Sequence, residues 1–320
     1  MVASIHVVPL DEDHLEEAAA LVVERYRRLR AEVPILPARY AEPSTYLPFL
    51  HAIAEAGPGV AAVRGDRLVG FLTGWLIPSF KGRPSSFSPE WANGAELRDG
   101  RRIYEEMYAH LSDVWVANGH LMHLVSVLAN DRRGFEAWNW LGFGMIVVDG
   151  VRDLQPVDGP KVDVEIRRAD VEEIEGFMAL NEGLCQHLAA PPTFLIDDEE
   201  RGRAYYEAWL KDPEKAIWLA YQDDDAVAYI GLGPASDDAS TIIRDEKTTS
   251  VTGAFTREAA RGGGIATALL NRALEWARDD GYERCAVDFE SMNSPAARFW
   301  LRHFEPVCYS LMRRIDDRAA

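Results

Sequence analysis

Cysteine is scarce in this sequence: Cys185, Cys285 and Cys308 are the only three in 320 residues. An odd number at wide spacing gives neither a disulfide framework nor a metal-ligand pattern. Cys285 and Cys308, set in apolar runs, read as small core residues rather than nucleophiles. Long hydrophobic runs are missing too. None approaches the roughly 18 residues that span a bilayer, and MVASIHVVPLDEDH has neither a basic opening nor an extended apolar segment. A cytoplasmic protein with no membrane partner is therefore expected. Basic charge is in deficit, with 34 Lys and Arg against 52 Asp and Glu, a formal net charge of −18. Nucleic-acid phosphates would be repelled by it, whereas a cationic acceptor suits it. Residues 1–157 hold 15 basic and 20 acidic side chains and residues 158–320 hold 19 and 32, so the acid gathers in the second half. Solubility alone would account for the same excess.

What is present describes a packed protein: 48% hydrophobic and 27% charged residues. The length suits two domains of about 100–200 residues each. Ile5 to Pro9 reads as a strand, and Asp11 caps a helix to about Arg30 in which Leu15, Ala18, Ala19, Val22, Val23 and Tyr26 recur at helical spacing. Pro34, Pro37, Pro43 and Pro48 read as breakers of a loop-rich stretch. Val60 to Arg64 and Leu68 to Pro78 flank Gly65 and Asp66 as a hairpin. A helix from Ile103 to Asn118, a strand from Leu121 to Leu128 and a helix from Arg132 to Leu141 follow. The turn-rich segment GVRDLQPVDGP places a boundary near residue 157. The order then recurs, with Val164 to Arg167 as strand, Asp170 opening a helix, and Ala216 to Tyr221 with Ala226 to Leu232 as hairpin. Gly119 and Gly281 each precede a strand that ends at an asparagine, Asn130 or Asn293, with a helix beyond. The expectation is two α/β (α+β) units in tandem, 1–157 and 158–320.

Chemistry concentrates in TTSVTGAFTREAARGGGIATALL, residues 248–270. A β-branched run to Thr256 breaks at Arg257 to Ala260, and Gly262, Gly263 and Gly264 then stand directly before an amphipathic helix beginning at Ile265. Glycines at such a turn permit positive φ and close approach of a ligand, and the first helical N–H groups lack internal partners. The mouth suits a phosphate or pyrophosphate, with Arg261 as a clamp. A Walker loop requires a lysine after the glycines, but the helix opens Ile265, Ala266, Thr267. A dinucleotide fingerprint fares little better, since Thr267 stands where its third glycine belongs and too little chain follows for a Rossmann half.

The remaining pattern, Arg261, Gly262, Gly263, Gly264, Ile265, Ala266, then Ala268, Leu269 and Leu270, resembles the coenzyme A pyrophosphate loop of the GNAT superfamily of N-acyltransferases. The strand Arg284 to Glu290 followed by Asn293, Ala296, Phe299 and Trp300 is similar to that family's fifth strand and fourth helix. The likeness covers Thr248 to Arg314. It implies tandem GNAT-like domains, each a mixed, mostly antiparallel sheet flanked by helices. It also implies acetyl-CoA as cosubstrate, no metal, and direct transfer of an acetyl group to a primary amine of a small molecule or peptide. The first half has no such loop, only Gly94 and Gly100 in NGAELRDGRR, and is expected to be a degenerate copy that no longer binds coenzyme.

Under that resemblance the backbone of Ala254, Phe255 and Thr256 holds the pantetheine and polarises the acyl carbonyl, the largest catalytic contribution expected here. Ile265, Ala266 and Thr267 complete the phosphate mouth, with Thr267 offering a hydroxyl. Asn293 is either a pantetheine contact or a helix cap. An attacking ammonium group must lose a proton. Asp288 and Glu290 project from one face of the fifth strand beside the acyl site, with Glu290 the preferred base. Trp300 stands where many family members carry an acidic tyrosine, and indole cannot fill that role, leaving Tyr309, His303 or water to reprotonate the thiolate. Asp197, Asp198, Glu199 and Glu200 either attract a cationic amine or stabilise the start of a helix through its dipole. Tyr205, Tyr206, Trp209 and His187 read as packing residues, with an aromatic wall for an ammonium group as the other reading. A non-catalytic acyl-CoA-binding or scaffolding protein stands as the alternative, and a dinucleotide-dependent oxidoreductase as a distant third.

Overall fold

The structure is a computed structural model, and it describes residues 4–196, 201–235 and 239–319. In chain order its elements are β1 (His6–Pro9), α1 (Leu15–Glu32), α2 (Pro43–Ala56), β2 (Gly59–Arg64), β3 (Arg67–Thr73), β4 (Trp75–Phe80), β5 (Arg83–Ser88), β6 (Asn93–Ala95), α3 (Gly100–Ala117), β7 (Met122–Leu128), α4 (Arg132–Trp140) and β8 (Gly144–Asp153). They continue with β9 (Glu165–Arg168), α5 (Ile174–Ala189), α6 (Arg203–Lys211), β10 (Ala216–Gln222), β11 (Asp225–Pro234), β12 (Thr248–Thr256), α7 (Ile265–Asp279), β13 (Arg284–Glu290), α8 (Ser294–His303) and β14 (Glu305–Arg314). The four acidic residues 197–200 lie outside the described residues.

The repeated α/β order expected from sequence is the one observed. Two elements differ: the expected strand Leu68 to Pro78 breaks at Gly74 into β3, paired with β2 and β6, and β4, paired with β5, and the proline-rich stretch is not all loop, because α2 begins at Pro43. Proline at the first helical position loses an N–H that has no partner anyway, so a residue read as a breaker here starts a helix.

Contacts divide the chain into two compact units. The first comprises residues up to Asp149 with Ser240–Ile242 and Pro306–Ala320; the second comprises Gly150–Ala239 and Ile243–Glu305. Residues 155–164 carry neither helix nor strand. In the first unit β1, β2, β3 and β6 form an antiparallel sheet. β5 pairs with β7 in parallel, Ser85↔Met122 to Ser88↔Val125. The far side of β7 takes β14 antiparallel, from Cys308↔Leu128 to Arg314↔Met122. α3 and α4 bury Tyr104, Met107, Trp115 and Trp138 in a cluster with Val125 and Leu311. Each such side chain removed from water is worth about 1.5–3 kcal/mol.

In the second unit β9 to β12 form an antiparallel meander, and β12 pairs with β13 in parallel. The turn between β10 and β11 places Asp223 and Asp224 at positive φ, a conformation short acidic side chains tolerate. Phe177 and Leu180 of α5 pack on Ile217, Leu219 and Tyr229. α7 buries Ile265, Leu269, Leu270, Ala273, Leu274 and Ala277 at helical spacing. Cys285 and Cys308 are fully buried, and burial pushes the Cys285 thiol up to about 12. Among the described residues no helix is long and apolar enough to cross a membrane.

Candidate functional site

The site of the second unit starts from a mismatch in strand length. β12 and β13 pair only over Thr248↔Arg284, Thr249↔Cys285 and Ser250↔Ala286. β12 then continues to Thr256 supported by β11 alone. Arg257 N–H donates to the Val227 carbonyl at 2.9 Å, which marks the Arg257/Val227 and Phe255/Tyr229 positions as the hydrogen-bonded pairs of that ladder. Ladder groups alternate in direction along an antiparallel strand. The N–H and C=O of Ala254 and Thr256 therefore point away from β11, into the gap where β13 has left.

The loop after β12 turns that gap into an anion mouth. Arg261 folds back, its Nε donating to the Thr256 carbonyl at 2.9 Å while its guanidinium lies 5.7 Å from the Phe255 ring centroid. Gly262 and Gly264 take φ of +83° and +92°. A Cβ at Gly264 would run into the Pro160 ring and stand 3.2 Å from Val162 Cγ1, so glycine is required there by sterics as well as by dihedral. The first bond of α7 is Ala268 N–H to the Gly264 carbonyl at 3.0 Å. The N–H groups of Ile265, Ala266 and Thr267 precede it and have no intrahelical acceptor. Pro160 is held in place from the side: Val157 N–H donates to Asn271 Oδ1 at 2.7 Å and Asn271 Nδ2 donates to the Val157 carbonyl at 2.9 Å. A segment that reads as a spacer is thus clamped along α7 and forms part of the wall.

Gap and mouth open into one cavity of about 580 Å³. Of the residues expected from sequence, Ala254, Phe255, Thr256, Arg261, Gly262, Gly264, Ile265, Ala266, Thr267 and Asn293 line it. Gly263 lies between the two positive-φ glycines with open space where a Cβ would sit. Glu290 is not in the wall; it is half-buried at the end of β13, and its carbonyl accepts Asn293 N–H at 2.9 Å. Tyr309 belongs to the first unit, where its ring lies 5.5 Å from Phe135 and burial raises its phenol. Neither is among the described residues that line the cavity.

Asn293 caps α8, its Oδ1 accepting Ala296 N–H at 3.4 Å, and it faces the cavity as well. Trp300 is nearly buried and packs edge-on against Phe299 and Phe304. Sequence reasoning missed Pro160, Arg298 and Arg302, which line the cavity, and read His187, which lines it too, as a packing residue. His187, on α5, lies 3.2 Å from Asn293 Oδ1. Among the described lining residues the charged side chains are arginines, with no carboxylate.

The first unit has the same gap and fills it. β5 leaves β7 after Ser88↔Val125, and β6 goes on along β3. Between them Asn93 donates Nδ2 to the carbonyls of Pro89 and Ser126 at 2.9 and 3.0 Å. Arg25, 3% exposed, donates to the Asn93 carbonyl and pairs with Asp131 at 2.9 Å. Asp131 in turn caps α4 through Gly134 N–H at 2.9 Å.

A glycine-led helix mouth thus joins an unpaired strand edge, and residues 182–304 match the Acetyltransferase (GNAT) family model. Those residues form a GNAT domain. The whole chain is similar in fold to a GCN5-related N-acetyltransferase from Sphaerobacter thermophilus, at 12% identity and a TM-score of 0.57, covering 97% of this chain and 95% of that one. It is similar also to the fungal multi-domain GH3 β-N-acetylglucosaminidase described as containing a GCN5-related glucosamine N-acetyltransferase region. There the identity is 14% and the TM-score 0.54, and the match covers 98% of this chain but 38% of that one. A tandem GNAT protein from the clavulanic acid biosynthesis pathway aligns over 97% of this chain and 98% of its own length, at 15% identity and a TM-score of 0.47. No curated protein matches the chain.

Proposed function

We propose that the GNAT domain binds acetyl-CoA in this cavity and transfers the acetyl group to a primary amine by direct attack, without a covalent enzyme intermediate. The observation that carries the reading is the continuity of the unpaired β12 edge with the glycine mouth of α7. A pantetheine arm needs amide partners along a strand, and a diphosphate needs N–H donors at its end. Ile265, Ala266 and Thr267 N–H groups with Arg261 suit the diphosphate. The Ala254 and Thr256 main chain suits the arm and the thioester carbonyl, and one such fixed donor is worth roughly 3 kcal/mol to a developing oxyanion. When bound, the thioester supplies the acyl group and the leaving thiolate. The protein's part is to orient that carbonyl and to exclude water with Phe255, Phe299 and Trp300. The acceptor is a small-molecule or peptide amine, drawn from a cytoplasmic pool toward an acidic surface. The first unit is a degenerate copy, with Arg25 and Asn93 occupying the space that coenzyme would need.

Calorimetry with coenzyme A tests the reading. One equivalent per chain is expected, and thiol release is expected when acetyl-CoA is offered with spermidine, glucosamine or a peptide amino terminus. No binding at millimolar coenzyme would overturn it. The absence of carboxylates from the described cavity wall, and Trp300 in place of a tyrosine, favour a second reading: an acyl-CoA-binding protein without transferase activity. Tight binding with no thiol release for any amine would select that one.

A further inference from the structure

We infer that His187 is the proton acceptor of the transfer, an inference that rests on the acetyl-CoA reading above. The argument begins at Asn293. Its Oδ1 accepts the Ala296 N–H that starts α8, which fixes the oxygen rather than the amide nitrogen on that side. His187 Nε2 stands 3.2 Å from the same oxygen. An amide oxygen has no proton to give, so Nε2 carries the hydrogen and donates it. In the neutral ring Nδ1 then holds the lone pair. Nδ1 has no protein partner among the described residues and is not sealed in the interior, while the residue as a whole lines the cavity. The ring centroid lies 6.5 Å from that of Phe255, beside the stretch of β12 proposed to hold the thioester.

The first unit shows what the same link looks like when it is only structural. There α1 reaches the cap of α4 with the buried Arg25 onto the partly buried Asp131, and the guanidinium also donates to the Asn93 carbonyl. A guanidinium is permanently charged and cannot take a proton. In the second unit the helix contributes an imidazole instead of a guanidinium, and an imidazole has a ring nitrogen that can take a proton. The charged groups sharing the cavity wall with His187 are Arg261, Arg298 and Arg302, from the loop and from α8. Among the described lining residues no carboxylate competes for the role.

The step balances as follows. The amine attacks in its neutral form, its ammonium proton having gone to solvent; the nitrogen forms a bond to the acyl carbon, and the N–H proton that becomes acidic on bonding passes to His187 Nδ1. The C–S bond breaks with its electron pair on sulfur, and the imidazolium returns the proton to the thiolate. Amide and free coenzyme A leave a neutral histidine behind.

The test has two arms. With an amine that gives thiol release, His187→Gln should lower kcat by about 100-fold or more, remove a one-proton limb from the pH profile of kcat/KM, and leave coenzyme A affinity by calorimetry unchanged. A kcat within about threefold of the parent with the limb intact overturns the proposal, as does a limb lost in Glu290→Gln instead. The second arm needs no acceptor: nitrogen-15 spectra of histidine-labelled protein with coenzyme A bound should show His187 as the Nε2–H tautomer. A proton on Nδ1 overturns it. Failure of coenzyme to bind at all, by contrast, would remove the acetyl-CoA reading itself.

Discussion

Gly264 is the residue at which sterics, backbone geometry and ligand chemistry meet. Its φ of +92° is in the left-handed region, and its missing Cβ makes room for Pro160. A left-handed φ costs a non-glycine residue about 1–2 kcal/mol, and displacing the ring adds to it. Gly264→Ala should therefore weaken coenzyme A binding by at least about tenfold, 1.4 kcal/mol being a factor of ten in affinity, with calorimetry as the readout. Unchanged affinity would show that the mouth does not hold the diphosphate. This residue was legible in the sequence because its requirement is local: three glycines before a helix announce a special turn. His187 was not. Its neighbours in sequence describe an ordinary amphipathic helix, and only the fold brings it to Asn293.

Elements formed within one stretch of chain were legible for the same reason. The hairpins, the helix after the glycines and the strand leading to Asn293 follow from turn residues and apolar spacing. The gap between β12 and β13 did not, because both sequences continue as good strands and nothing local says where pairing stops. The clamp on α7 was likewise hidden, since the turn-rich segment was read only as a boundary near residue 157 and nothing local ties it to Asn271. Asn271→Ala would remove both bonds to Val157. A loss of about 1–2 kcal/mol in chemical denaturation is expected, at roughly 1 kcal/mol per bond. Coenzyme affinity should fall severalfold as Pro160 loosens, since 1 kcal/mol is about a fivefold change. Affinity that follows wild type while stability drops would show that the strap is only structural.

For the whole molecule, acid is the informative stress. His123 in the first unit is fully buried, accepts the Tyr108 hydroxyl on Nδ1 at 2.7 Å and donates Nε2–H to the His120 carbonyl at 2.9 Å. Burial holds it neutral and pushes its pKa from 6.5 down to about 4. The unfolded chain takes up this proton first as pH falls. His123 therefore costs nothing above pH 6.5 and destabilises the fold progressively between 6.5 and about 4, by up to about 1.4 kcal/mol per pH unit. Urea denaturation across that window should show a shallower decline in His123→Gln than in the parent, and parallel declines would refute the assignment. The two copies are thus unlike in kind. The first spends its polar residues on closing its interior, and the second leaves them facing a cavity.

The position of β14 has a bearing on biosynthesis. β7 leaves the ribosome long before the residues that cover its far edge, so the first unit must wait for β14 before that edge is paired. A waiting strand edge is a template for unwanted pairing with other nascent chains. Polypeptides clipped before β14 should accordingly aggregate through the unit made first, while the second unit is left with its own meander intact.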